Sequence, residues 1–325
     1  MSRPELFSAA GVCPFCLTEC AVDDCEAGRR YLQSLGSSPR IGDRRSTADE
    51  VMADYRQSLP PDHQQQCIVG SVSMRLATQL VDWSITNDIE LTVRTDPSIA
   101  VVQTAIRRDG VVTASIGELS RLADRFVLIG DCGSIPSRLS KPDHDRVKTF
   151  ETLGNRDIAA WQQQTPNWAA ESKYLAIIVG SGALSGSTQE QTVTSERLIA
   201  WTWFLNRRLD AEGQPAGRAV LLPIDPQATI REVYRYRTNR SLAPPNDPSR
   251  SIQIGSLSCP MAAPVAVQIG GIDPGPTAAA RYIPANTEST APADAFIRCD
   301  NSVTLPAPPN LYDPTAPEVT SLLNQ

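Results

Sequence analysis

Apolar positions along this chain fall into two kinds of pattern. Short unbroken runs recur at Cys67–Gly70 (CIVG), Leu91–Val93, Arg125–Gly130 (RFVLIG), Tyr174–Gly180 (YLAIIVG), Arg218–Pro223 and Ser251–Gly255 (SIQIG). Their length and β-branched content predict buried strands, and the glycine that follows most of them predicts a turn. Between the runs, apolar residues return at helical spacing. SMRLATQLVDWSITND (73–88) and GELSRLADR (117–125) predict helices, and TADEVMADYRQSL (47–59) predicts one capped by Thr47 or Asp49. IAVVQTAIRRDG (99–110) fits a helix or a strand that stops at Asp109-Gly110. The longest such window, residues 194–213, predicts a helix with Ser195 as N-cap, Trp201, Phe204 and Leu205 on one face, and Gly213 closing it.

Strands alternating with helices predict an α/β fold with Rossmann-like parallel sheets. Composition shifts divide the chain into a cysteine-bearing segment and linker (1–66), an α/β domain (67–172), a second α/β unit (173–241) and proline-rich strands and loops that complete the fold (242–325). Residues 136–172, polar and rich in Pro, Gln and Asp, read as an irregular connection. TAPEVTSLLNQ reads as a closing helix.

Charge and composition narrow the chemistry. The 325 residues carry a net charge of -6, which argues against a generic nucleic-acid binder. No apolar run approaches the ~20 residues that span a bilayer, and the N-terminus lacks a secretion signal, so a cytoplasmic protein with reduced thiols is expected. The two histidines, His63 and His144, cannot build a three-histidine zinc site. Only Lys141, Lys148 and Lys173 among the 30 basic residues are lysines. Arginine suits planar recognition of carboxylate or phosphate, although genomic base composition gives the same bias.

Four motifs stand out. Cys13, Cys16 and Cys20 lie in C-x2-C-x3-C spacing with Cys25 five residues on, an arrangement that suits zinc or an iron-sulfur cluster. Cys25 or Cys67 would supply the fourth ligand; the other reading is a vestigial site whose cysteines pack as small hydrophobes. Gly180-Ser-Gly-Ala-Leu-Ser-Gly186 sits where a phosphate-cradling turn would, but it matches neither dinucleotide fingerprint nor P-loop, and reads as a tight turn. Cys132, in Gly130-Asp-Cys-Gly-Ser, reads as a buried thiol rather than a nucleophile, because no histidine lies near it in sequence. Residues 231–250 hold five arginines against one Glu and one Asp. Arg231, Arg235, Arg237 and Arg240 form either a solvated helix face or a dock for a polyanion or acidic partner.

Taken together, the VCPFC…C cluster, LTVRTDPS, TASIGELSRLADRFVLIGDCGSIPSRL, KYLAIIVGSGALSG and IRCDNSVTLPAP resemble the B-type subunit family of formylmethanofuran dehydrogenase, in the shortened bacterial form found in formyltransferase/hydrolase complexes. The resemblance runs over nearly the whole chain. It implies a truncated molybdopterin-oxidoreductase-like fold. Cys13, Cys16 and Cys20 match the first three iron-sulfur ligands of full-length members. The family's fourth ligand has no counterpart in SSPRIGDRR, and Asp96, Pro97 and Ser98 stand where the family places the thiolate that binds tungsten or molybdenum. No molybdenum or tungsten pterin is therefore expected. What the resemblance implies is a non-catalytic scaffold subunit in tetrahydromethanopterin- and methanofuran-linked formaldehyde oxidation. Its partners would be a formyltransferase subunit, an amidohydrolase-like hydrolase subunit and other subunits of the complex. It would help hold a methanofuran-type formyl carrier, with the arginine segment gripping the carrier's polyglutamate-type tail. The alternative is an active metal-pterin, iron-sulfur oxidoreductase.

Overall fold

The computed structural model describes residues 26–60, 65–132, 146–256, 264–287, 289–290, 294–302, 304–307 and 312–324. In chain order the elements are α1 (Glu26–Leu35), β1 (Arg40–Ile41), β2 (Arg44–Arg45), α2 (Ala48–Gln57), β3 (Gln66–Val69), α3 (Met74–Asn87), β4 (Glu90–Thr92), α4 (Pro97–Asp109), α5 (Ile116–Leu122) and β5 (Arg125–Ile129). Then follow β6 (Val147–Phe150), α6 (Asn155–Gln163), α7 (Asn167–Ala170), β7 (Tyr174–Val179), α8 (Thr188–Asn206), β8 (Arg218–Pro223) and α9 (Ala228–Thr238). The chain closes with β9 (Ile252–Ile254), β10 (Val267–Ile269), β11 (Arg281–Ile283), β12 (Ala295–Ile297), β13 (Thr304–Pro306) and α10 (Val319–Leu323).

Two compact units result. One comprises the chain up to Arg94 and from Pro226 onward; the other is Thr95–Asp225. These bounds differ from the divisions at 66, 172 and 241 that composition suggests. The reason is strand pairing: β3 hydrogen-bonds to β9, with Cys67 opposite Ile252, so the two ends of the chain share one sheet and the middle is inserted between them.

The first unit carries a seven-stranded sheet in the order β2-β1-β11-β10-β9-β3-β4. Neighbours from β11 to β4 are parallel, and β1 joins β11 antiparallel. Its core gathers Val51, Met52 and Tyr55 of α2, Leu76 and Leu80 of α3, Ile230 of α9 and the inward strand residues Val69, Ile254 and Ile269. The second unit carries a four-stranded parallel sheet, β6-β5-β7-β8. Ile99 and Val102 of α4, Leu198, Trp201 and Leu205 of α8, and Val127, Ile177 and Leu221 of the strands form its core.

Capping explains where the helices begin. Thr47 and Glu50 form a reciprocal capping box at α2, and Ser73 caps α3 by accepting from the Leu76 N–H. Helix α8 begins well before the apolar pattern suggests, because Ser187 and Glu190 form another capping box ahead of a polar but helix-compatible first turn. Ser195 is therefore a buried mid-helix residue whose hydroxyl donates to the Thr192 carbonyl. The helix stops at Asn206, and Gly213 instead closes a turn against Asp210. Trp201 and Leu205 share the buried face as expected, but Phe204, rotated away from that face, stands 51% exposed.

The segment 136–172 is not an irregular connection where it is described. It contains β6, α6 and α7. Its few large apolar residues converge: Trp161 lies 5.0 Å from Trp201 and 5.2 Å from Phe150, ring centre to ring centre. Trp168 joins them, 5.7 Å from Trp161, so a few rings anchor an otherwise polar segment to the core of the second unit.

Glycine governs the strand ends. A methyl group at Gly180, just after β7, would sit 2.0 Å from the Asp131 carbonyl oxygen, an atom of fixed backbone. Gly180→Ala should therefore cost about 3 kcal/mol, at the upper end of overpacking penalties, in denaturant unfolding. Gly117→Ala, inside α5 with nothing closer than 3.9 Å, should be neutral or stabilising. Equal stabilities for the two variants would contradict the close approach.

Candidate functional site

In open parallel sheets, ligands bind outside the carboxyl ends of the strands, where the strand order reverses. Both units have such a point. In the second it lies between β5 and β7, since β6 was added on the far side of β5. In the first it lies between β3 and β9, for the same reason.

Both points are closed by the chain itself. After β5 and β7, Asp131 and Ser181 form an antiparallel bridge, with N–H···O distances of 2.7 and 3.0 Å. After β3 and β9, Ser71 and Ser256 form a bridge of the same kind. Backbone occupies each crevice at van der Waals distance, and the approach is possible only because the preceding residues are Gly130, Gly180, Gly70 and Gly255.

The Gly180–Gly186 turn has spent the N–H groups a phosphate would need. Ser181 donates to the Asp131 carbonyl, Ser185 to the Leu153 carbonyl and Leu184 to the Ser98 hydroxyl at 3.0 Å. Gly182 donates to the Asp96 carboxylate at 3.0 Å. The other oxygen of Asp96 accepts from the Ser98 N–H at 2.9 Å and so caps α4. An internal carboxylate thus stands where an anionic ligand would meet a helix N-terminus. The first unit repeats the device. Asp294 accepts from the Arg75 N–H in the first turn of α3, and also from the Thr290 and Ala295 N–H groups.

This geometry tests the group that the family resemblance associates with the loop after β4. The resemblance places a thiolate there. The chain offers Asp96, committed to two N–H groups, and Ser98, whose hydroxyl is tied to Leu184, so both oxygen donors are already engaged within the chain.

Cys13, Cys16, Cys20 and Cys25 lie outside the described residues. Cys67, the other candidate for a fourth ligand, is buried in β3 among the core residues of the first unit. Burial pushes its thiol up to about 12. It packs as a hydrophobe within that core. Cys132 is buried too, and loss of solvent is the main cause that raises its thiol to about 12. Among the described residues no three His, Cys, Asp or Glu side chains cluster to hold a metal ion.

The arginine segment falls on α9, which packs against α3 through Ile230 and Val233. Arg235, Arg237 and Arg240 are exposed and Arg231 is half-buried beside Gln227. The helix is not a field of free charge. Arg235 pairs with Glu232 at 2.5 Å, and Arg237 pairs with Asp82 of α3. The second pair is invisible in the segment itself, because Asp82 is 155 positions away. Tyr236, 89% exposed, stands between the two arginines in sequence.

The RCD stretch of the family resemblance is a structural turn between β12 and β13. Arg298 and Asp300 form a buried ion pair at 2.7 Å, and Ser302 completes it at 2.7 Å from Arg298.

Two outcomes follow from these contacts. Asp96→Ala strands two N–H groups and should lower stability by about 3 kcal/mol, whereas Asp96→Asn, which still caps, should lose about 1 kcal/mol; chemical denaturation measures both. A thiol reagent at pH 8 should leave Cys67 and Cys132 unmodified in the native protein and label them once denaturant unfolds it, as read by peptide mapping.

No protein family's sequence profile matches the chain, and no curated protein matches it by sequence. Solved structures do match. One is a chain of the formyltransferase/hydrolase complex (FhcABCD) from Methylorubrum extorquens, determined in complex with methylofuran. The likeness covers 88% of this chain and 97% of that one, with a TM-score of 0.53 and 12% sequence identity. It is a likeness of fold. Among the described residues, no helix is long and apolar enough to cross a membrane.

Proposed function

We propose that this chain is the shortened B-type subunit of a formyltransferase/hydrolase complex, related through formylmethanofuran dehydrogenase to the molybdopterin-oxidoreductase fold. In this reading it is a non-catalytic scaffold in tetrahydromethanopterin- and methanofuran-linked one-carbon metabolism. The formyltransferase and the amidohydrolase-like hydrolase subunits carry the chemistry. The observation that supports this most is the pair of self-filled crevices: Asp131–Ser181 and Ser71–Ser256 close the places where such a fold would hold a cofactor. The fold likeness to a chain of a complex determined with methylofuran supports it independently.

The scaffold also grips the formyl carrier. Arg231, Arg235 and Arg237 on α9 and Arg240 just beyond its cap present guanidinium groups to a tail with a carboxylate on each residue. The pairs with Glu232 and Asp82 are surface pairs, and such pairs exchange readily for a better-placed carboxylate. Several weak contacts hold the tail by avidity while the formylated end moves. Cys13, Cys16, Cys20 and Cys25 belong to this proposal as a zinc site or a remnant of the iron-sulfur site.

Co-expression with formyltransferase and hydrolase subunits tests the reading. The chain should co-elute with both, and the complex should retain carrier. Changing all four arginines to Gln should lower carrier retention by roughly tenfold or more and flatten its dependence on salt, with assembly intact. Full retention would move the grip elsewhere. Molybdenum or tungsten near stoichiometry in the purified chain would restore the oxidoreductase reading.

A further inference from the structure

The arginines of the α9 segment differ in what already holds them. Arg235 pairs with Glu232, three residues back on the same helix, at 2.5 Å. Arg237 pairs with Asp82, which reaches it from α3. Arg231 donates to the Gln227 side-chain oxygen at 3.3 Å. Arg240 follows Asn239, the left-handed cap of α9, and among the described residues no carboxylate pairs with it. Arg235 and Arg237 thus each carry an acid of the chain's own, and Arg240 carries none.

A tethered acid competes with any ligand for its arginine. A carboxylate that arrives at Arg235 or Arg237 exchanges one surface pair for another of similar strength, so the contact adds little to binding. The displaced Glu232 or Asp82 stays close to the arginine at high effective concentration and retakes it readily, so each such contact is also short-lived. Arg240 has no acid to displace and takes a carboxylate outright. From Arg235 to Arg240 is roughly 8 Å at helical rise, which an extended chain covers with about three residues. A chain of carboxylates is thus held at Arg240 and contested at Arg237 and Arg235.

We infer that Asp82 and Glu232 are built-in competitors that keep the grip of α9 weak, so that a bound polycarboxylate chain is released quickly. The inference rests on the carrier-binding reading above and adds what sets the lifetime of the bound tail.

Stopped-flow anisotropy with fluorophore-labelled hexaglutamate, on the full chain at moderate salt, reads association and release together. Asp82→Asn/Glu232→Gln should slow release by about tenfold and change the association rate far less. Its thermal melt should stay within a few degrees of wild type, because both acids stand at the surface. Asp88→Asn is the charge control. It removes an exposed acid from the end of α3, frees no arginine and suits the left-handed backbone there, so release should stay within about twofold of wild type. Equal release from wild type and the double variant, or equal slowing by Asp88→Asn, overturns the inference and leaves the grip in place. If wild type binds hexaglutamate no better than the variant with all four arginines changed to Gln, the carrier-binding reading falls and the inference with it.

Discussion

Where the strand order reverses, two segments of backbone meet with no side chain between them. After β7 the Asp131 carbonyl occupies the space a methyl group on Gly180 would need, and after β3 the Ser256 carbonyl does the same opposite Gly70. Each approach is locked by a bridge: Asp131 and Ser181 exchange two hydrogen bonds, and the Ser71 N–H donates to the Ser256 carbonyl. The partner glycines, Gly130 and Gly255, adopt φ of 74° and 75°, which lets the chain turn sharply enough to reach. This contact fixes how adjacent strands end, just ahead of α8 in one unit and of α3 in the other.

A helix that starts at such a point exposes N–H groups and a positive dipole end, and these must be met. Nucleotide-binding folds meet them with phosphate. Here the chain supplies its own anions. Asp96 reaches the start of α4 and the Gly182 N–H together, and Asp294 reaches the start of α3. Because the carboxylates are covalently part of the fold, their binding carries no association entropy. Each of these helix starts is thus met by an anion from its own unit.

Much of this was legible in the sequence, and the rest was hidden for identifiable reasons. Strands β3, β5, β7, β8 and β9 and helices α2, α3 and α5 lie where the apolar pattern puts them, because each carries its own periodicity or cap. Helices α6 and α7 are carried by a few tryptophans whose partner, Trp201, lies far along the chain from Trp161. The inserted arrangement of units depends on Cys67 meeting Ile252 across most of the chain. One local signal runs through β3, β5, β7, β9 and β10: CIVGS, VLIGD, IIVGS, IQIGS and VQIGG end them in the same glycine-then-small or glycine-then-polar form. That recurrence marks the strand ends. Whether the crevice beside them stays open is a different matter, since it depends on Asp96 reaching a glycine 86 residues away.

Charge follows the same logic at the surface, and it separates two kinds of contact. On α9 the arginines already have acids: Glu232 holds Arg235 and Asp82 holds Arg237. A charged ligand there would replace one solvated pair by another, so each contact would be weak, salt-sensitive and quick to rearrange. Beside α8, Arg108 takes Asp109 and Glu196, and the Arg207 guanidinium lies 5.6 Å from the Trp203 ring centre. One surface thus offers exchangeable ion pairs, and the other a cation held over an aromatic ring.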